Sequence, residues 1–206
     1  MRFSEVLELL EDTGQSLLLL DIDDTLVVPQ NIKIYKKTPQ GEVGLTPAEY
    51  SREKITPETK KDYDYREFRD PEKVYNSIQT GLPIVSNLKI FDEYVKRGWK
   101  IGILTARGME DLVYNSLKDW LKHRDASGDL NLLGDKLVRD LVHAVNDDKK
   151  KYEGKTDFEK KANVIQKLAK EYDRIVFIDD DAKNITAVKN LGLKNVYPRL
   201  ANKMEK

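Results

Sequence analysis

The 206-residue chain has no cysteine. That excludes disulfides, thiolate nucleophiles and zinc held by thiolates, and it fits a reducing compartment. An excess of one charge is lacking too: 36 Lys and Arg face 36 Asp and Glu. No overall field then draws the chain to nucleic acid or to an anionic membrane. Long apolar runs are absent, and one such as Leu17 to Leu20 is far too short to span a bilayer. The opening residues, MRFSEVLELLEDTG, carry acids through their apolar pattern and lack the apolar core of a signal peptide. No membrane partner and a cytoplasmic location are expected. Proline is scarce outside one stretch, since six of the seven fall between residues 28 and 85.

What is present reads as an α/β chain. Its length suits one domain with a modest insertion, and it is enough to bury a sizeable core. Residues 4–12 have the pattern of a short amphipathic helix, with Ser4 as N-cap and Gly14 beyond its end. Ser16 to Leu20, Trp99 to Leu104 and Arg174 to Ile178 are short, mostly apolar runs that suit strands covered on both faces. Leu141 to Val145 is a fourth, weaker candidate. Helical patterns lie between, at about 86–97, 109–122, 157–171 and 182–191, with Gly98 and Gly192 where C-caps belong. Strands alternating with helices imply parallel βαβ units in an open sheet.

Residues 28–85 break that rhythm. Asn31 to Lys37 and Glu42 to Leu45, joined by Thr38-Pro39-Gln40-Gly41, read as a hairpin. Thr46-Pro47-Ala48-Glu49 has the form of a capping box with proline at the first helical position. Five of the ten tyrosines lie here, at 35, 50, 63, 65 and 75. The stretch reads as a flap or small cap inserted after the first strand. Its tyrosines suit hairpin packing more readily than stacking on a base. Residues 146–156 read as a charged loop and 202–206 as a frayed tail.

Chemistry gathers at the carboxyl ends of strands in such a sheet. Asp21-Ile22-Asp23-Asp24-Thr25 follows the first strand directly, and Asp179-Asp180-Asp181 follows another. Carboxylates crowded at neighbouring strand ends repel strongly. A divalent cation relieves this, and oxygen-only ligands favour magnesium. Thr105 closes a third strand, where its hydroxyl and the backbone at Ala106 could hold phosphate oxygens near a helix N-terminus. Arg107 suits either a substrate contact or a surface ion pair. Lys160 and Lys161 open a helix, where an ammonium could balance nucleophile and phosphate charge.

Two imitations fall away. Asp21, Asp23 and Thr25 have the spacing that opens an EF-hand loop, but its sixth position would be Leu26 and its twelfth Ile32. Neither supplies the required glycine or bidentate carboxylate. Gly154-Lys155-Thr156 imitates the end of a P-loop, but the earlier glycine would fall at Lys149. It reads as a solvated loop, as do Lys150 and Lys151. His123, near a helix end, and His143 read as structural.

Taken in order, these four elements resemble the motifs of the haloacid dehalogenase-like superfamily over about residues 15–200. The resemblance implies a Rossmann-like three-layer sandwich with a central parallel sheet. It implies Asp21 as nucleophile and Asp23 as general acid and base, whose backbone carbonyl would also meet the metal. Asp180 would be a magnesium ligand, supported by Asp179 and Asn184. The superfamily's usual residue at that last place is Asp, so Asn184 would keep an oxygen acceptor but lose a charge, lowering metal affinity. The third-motif lysine is Lys160 or Lys161, with Lys161 favoured by its spacing to Ile165 and Leu168. An acid at position 23 implies a phosphatase rather than a transport ATPase or a dehalogenase.

The expected activity is hydrolysis of a small phosphomonoester, a nucleotide being the leading candidate, through an aspartyl-phosphate on Asp21. The alternatives are a phosphatase of macromolecular ends, such as a nucleic acid 3′-phosphate or a phosphoprotein, and a non-catalytic module that keeps the fold. Residues 31–73 hold ten Lys or Arg against nine Asp or Glu, so no linear basic stripe supports nucleic acid.

Overall fold

The computed structural model describes residues 15–50, 52–56, 58–123, 133–148 and 152–203. The expected helix at 4–12 lies outside them, with Ser4 and Gly14, as do Lys150, Lys151 and the side chain of His123.

Strand β1 (Ser16–Leu20) is buried at all five positions. Side chains alternate along a strand, so burial of every residue requires cover on both faces. Leu18 and Leu20 join one apolar cluster, Leu17 and Leu19 the other. After β1 the chain leaves the sheet through β2 (Val27–Val28). Hairpin β3 (Ile34–Thr38) and β4 (Gly41–Leu45) follows, then a single helical turn, α1 (Pro47–Tyr50). Thr46 and Glu49 cap that turn reciprocally. Strand β5 (Tyr63–Asp64) adds to the free edge of β3.

The insertion is less uniform than its proline content implies. Helix α2 (Pro71–Gln79) starts with Asp70 accepting from the amides of Glu72 and Lys73 and with Pro71 in the first turn. Its Val74 and Ile78 belong to the main apolar core. Strand β6 (Leu82–Pro83) then pairs antiparallel with β2 and closes the neck. Residues 34–69 carry the three-stranded sheet as a flap, whereas 71–79 is part of the body.

The rest alternates as its periodicity predicts: α3 (Val85–Lys96), β7 (Lys100–Thr105), α4 (Glu110–His123), α5 (Leu133–Lys136), β8 (Leu137–Ala144), α6 (Asp157–Leu168), β9 (Arg174–Asp179), α7 (Ala182–Lys189) and β10 (Val196–Leu200). The main sheet runs β10-β9-β1-β7-β8, with every pairing parallel. Helices α2, α3 and α4 bury one face, through residues such as Val74, Phe91 and Trp120. Helices α6 and α7 bury the other, through Ile165, Leu168 and Val188. The result is a Rossmann-like three-layer α/β/α arrangement. Gly102 permits a close approach of β7 to β8, since a Cβ there would lie 2.6 Å from the Leu141 carbonyl oxygen. Among the described residues no helix is long and apolar enough to cross a membrane.

From β1 the chain leads to β7 on one side, while β9 leads to β10 on the other. The crevice between the carboxyl ends of β1 and β9 is therefore the topological switch point, where open α/β sheets bind ligands.

Candidate active site

One turn sets three consecutive roles. The Asp21 amide still donates to the Ile178 carbonyl at 2.9 Å, so Asp21 stands level with the end of β9. The Ile22 carbonyl then accepts from the amides of Thr25, Leu26 and Val27. Ile22 and Leu26, both fully buried, anchor this turn. Asp24 takes φ +53°, a left-handed conformation that aspartate tolerates better than most residues. Asp21 and Asp23 consequently meet different partners. Thr25 turns inward, and its hydroxyl accepts from the Asp180 amide at 3.1 Å, tying the two acidic segments together. Asn87, buried on α3, donates to the Thr25 carbonyl at 2.7 Å and to the Asn202 carbonyl at 2.9 Å.

Asp21, Asp179 and Asp180 offer carboxylate oxygens that all lie within 4.8 Å of one another. Lys161, 1 % exposed, places its Nζ 2.8 Å from Asp21 Oδ1 and 2.7 Å from Asp179 Oδ2. One ammonium cannot balance three carboxylates. Burial, followed by the charges of Asp179, Asp180 and Asp23, pushes Asp21 well above the usual carboxylate range, although Lys161 pulls the other way. Burial and the Asp179 charge push Asp180 up to about 7. Burial alone would lower Lys161, but Asp179 and Asp21 outweigh it and hold the ammonium above the usual lysine value.

The double lysine separates by helix geometry. Lys161, Val164, Ile165 and Leu168 share the buried face of α6. Lys160 lies one residue round the helix and donates to Asn146 Oδ1 at 2.6 Å. Asp179 is fully saturated. It takes Lys161, both of its oxygens accept from Asn184 Nδ2 at 2.9 Å, and Oδ1 also accepts from the Asp181 amide. Asn184 therefore presents its nitrogen to a carboxylate. An aspartate there would repel Asp179, which is a physical reason for the amide.

Arg107 makes its ion pair in the interior rather than on the surface, and it also lines the cavity beside the site. It is 2 % exposed, and its Nε and Nη2 donate to Asp23 Oδ2 and Oδ1 at 2.9 and 2.7 Å. Its Nη1 donates to the Ser77 hydroxyl at 2.9 Å and to the Val74 carbonyl at 3.3 Å. Helix α2 thus grips Arg107, and Arg107 grips Asp23 with both donors of a fork. Thr105, buried, accepts from the Arg107 amide at 3.2 Å, while Ala106 is exposed at the mouth of a cavity.

No protein-family model matches this chain, and no curated protein does either. The site rests on its own geometry. Its oxygen-only donor set fits a hard divalent cation, with Asp21 and Asp180 the side chains left to hold it. The remaining candidate, Asp23, is not one of those three, although its charge reaches Asp21, and it lines a cavity of about 790 Å³ between flap and body.

Sequence reasoning did not single out Ser77, Asn87 or Asn146. Ser77 and Asn87 share a signal: each is a polar residue on the apolar face of its helix. Gly154-Lys155-Thr156 proves to be the approach to α6, with Thr156 and Glu159 forming a capping box. His143 packs edge-on against Tyr152.

Proposed function

We propose that the chain is a magnesium-dependent phosphomonoester hydrolase, with Asp21 taking the phosphoryl group. The observation that carries this reading is the buried Asp21–Lys161–Asp179 bridge beside Asp180, at the switch point of the sheet. Burying such charges is costly.

An Asp21 carboxylate oxygen attacks phosphorus, and the bond from phosphorus to the ester oxygen breaks, its electron pair leaving on that oxygen. Asp23 gives that oxygen a proton. Water then attacks the aspartyl-phosphate and passes a proton to Asp23. The bond from phosphorus to Asp21 breaks, and inorganic phosphate leaves. Lys161 holds Asp21 in place and offsets its charge throughout. Magnesium, when bound by Asp21 and Asp180, supplies further neutralisation of the phosphoryl oxygens. Asp23 takes up that proton from solvent as its Arg107 fork loosens to a single donor, which still holds the carboxyl in position. An incoming phosphate beside Arg107 competes for that guanidinium. A phosphomonoester panel with and without magnesium tests the reading, and no release of phosphate from any member would refute it.

Arg107→Lys replaces the fork with a single ammonium that cannot hold both Asp23 oxygens. Turnover of an alkyl phosphate should fall by about 10²-fold, the scale of a small misplacement of a reacting group. A nitrophenyl ester, whose leaving group departs unprotonated, should lose less. Equal rates for Arg107→Lys and wild type on both esters would remove Arg107 from the positioning of Asp23.

The shifted carboxyls predict a pH signature. Asp180 titrates at about 7 in the folded chain, whereas an unfolded aspartate ionises near pH ~4. The raised value means that metal-free stability is lost as pH climbs through that window. Magnesium needs the ionised carboxylates. Its stabilisation, read as Tm with magnesium minus Tm with chelator, should therefore grow as pH rises from about 4 to about 7 and level off above that. Asp180→Ala should weaken magnesium binding in calorimetry by more than about tenfold. An unchanged affinity would take Asp180 out of the metal's coordination.

A further inference from the structure

We propose that the cavity under the flap receives the leaving group, and that this group is a nucleoside. The substrate is then a nucleoside phosphomonoester, free or at the end of a chain. This inference rests on the phosphatase reading above.

Position comes first. Asp23 lines the cavity, while Asp21 lies outside it. A phosphate held at Asp21 with its ester oxygen at Asp23 directs the rest of the molecule beneath the flap. Size comes second. At about 790 Å³ the cavity falls in the range of roughly 300–1,000 Å³ that small-molecule sites occupy. A single phenyl ring or a three-carbon polyol would leave most of it unfilled.

The walls are chemically unlike. On the flap side, Tyr50, Tyr65 and Phe68 face the cavity, with the cations Lys60 and Arg69 beside them. Tyr50 stands edge-on to Tyr65, with ring centroids 5.6 Å apart, and their hydroxyls hydrogen-bond each other. It also stands edge-on to Tyr63, at 5.3 Å. Such mutual contacts fix the rings before any ligand arrives. Tyr35 and Tyr63 do different work: their hydroxyls hold Glu67 and Glu53 inside the flap. On the body side lie Asn146, Asp157 and Lys160, which form one network. Asn146 accepts from Lys160 at 2.6 Å and donates to Asp157 Oδ1 at 3.1 Å.

A rigid aromatic wall opposite carboxylate, amide and ammonium groups calls for a ligand with a π-face and several hydrogen-bonding groups. An aryl phosphate offers the first without the second, and a sugar phosphate the second without the first. A nucleoside offers both: the base stacks, while its edge and the sugar hydroxyls meet the polar wall.

The test compares a nucleoside 5′-monophosphate, a nucleoside 3′-monophosphate, a terminally phosphorylated oligonucleotide, ribose 5-phosphate and nitrophenyl phosphate, all with magnesium. Binding is measured by calorimetry on Asp21→Asn, and kcat/KM on the wild type. At least one nucleoside-bearing ligand should exceed ribose 5-phosphate by about 5- to 150-fold in both, the scale of one base stacked on an aromatic ring. The arm that gains most separates free nucleotide from chain end. Tyr65→Leu should erase that advantage, and Tyr65→Phe, which keeps the ring, should retain most of it. If Tyr65→Leu fails to fold, the ligand comparison on Asp21→Asn still decides. Equal affinity for ribose 5-phosphate and every nucleoside-bearing ligand overturns the inference, even if all are hydrolysed. No hydrolysis of any arm, with tight nucleotide binding intact, would instead overturn the phosphatase reading and leave the cavity assignment standing.

Discussion

Asp21→Asn is expected to abolish turnover on every phosphomonoester, by on the order of the 10⁶-fold seen when a covalent nucleophile is removed. The substitution keeps the shape of the side chain and an oxygen that can accept from Lys161. It removes a carboxylate that burial and three acidic neighbours destabilise. The metal-free variant should therefore match or exceed the wild type in Tm, so lost activity cannot be blamed on lost fold. Asp23→Asn should behave differently. Turnover of an alkyl phosphate should fall by about 10²–10⁴-fold, the usual worth of a general acid. A nitrophenyl ester should lose much less. Steady-state rates on the two esters separate the roles. Residual full activity in Asp21→Asn would falsify the nucleophile assignment. An equal loss on both esters in Asp23→Asn would remove its part in leaving-group departure.

Much of this site was legible before any coordinates, because its parts obey local rules. Ser16 to Leu20 and Arg174 to Ile178 are apolar on both faces, and each leads straight into acids. Adjacency of Asp21 to Asp179 and Asp180 then follows from a parallel sheet. Lys161 was distinguishable from Lys160 by its place four and seven residues before Ile165 and Leu168. Other features depend on distant partners. Arg107 meets Asp23 across 84 positions of sequence and Ser77 across 30, and nothing in Leu104 to Gly108 announces either.

Two elements escaped for a different reason. Helix α2 has its own signals, Asp70 as cap, Pro71 in the first turn, and Val74 and Ile78 four apart. It lies in a proline-rich stretch whose general character masked them. Strand β10 reads poorly because it is half exposed and contains Pro198. Both traits belong to an edge strand, where a missing amide costs no central ladder bond. Its backbone extends the sheet beside β9 and leads to the Ala201 amide, which donates to the Asp179 carbonyl.

Lys161→Met should damage stability and rate together, and stability more than any other single change at this site. The ammonium bonds two buried carboxylates, and its removal leaves them without their cation. Breaking a buried pair in this way costs about 3–5 kcal/mol when the remaining charges stay ionised. Asp21, already pushed upward by burial, can reduce that cost by taking up a proton, which is easy at low pH and hard at high pH. The loss of Tm should therefore be small near pH 5 and large near pH 8, since the window spans about the ordinary carboxyl value upward. Magnesium, offering positive charge at the same carboxylates, should restore part of the Tm at pH 8. Turnover should still fall by at least about 10²–10³-fold, the scale of losing one preorganised donor to developing charge. Lys160→Met is the matched control for stability, because Lys160 is half-buried and, among the described residues, its ammonium bonds Asn146 and no carboxylate. Its effect on unfolding free energy should stay within about 0.5 kcal/mol. Thermal melts of both variants at the two pH values, with and without magnesium, decide the matter. Equal, pH-independent losses for Lys160→Met and Lys161→Met would mean that the bridge between Asp21 and Asp179 does not organise this site.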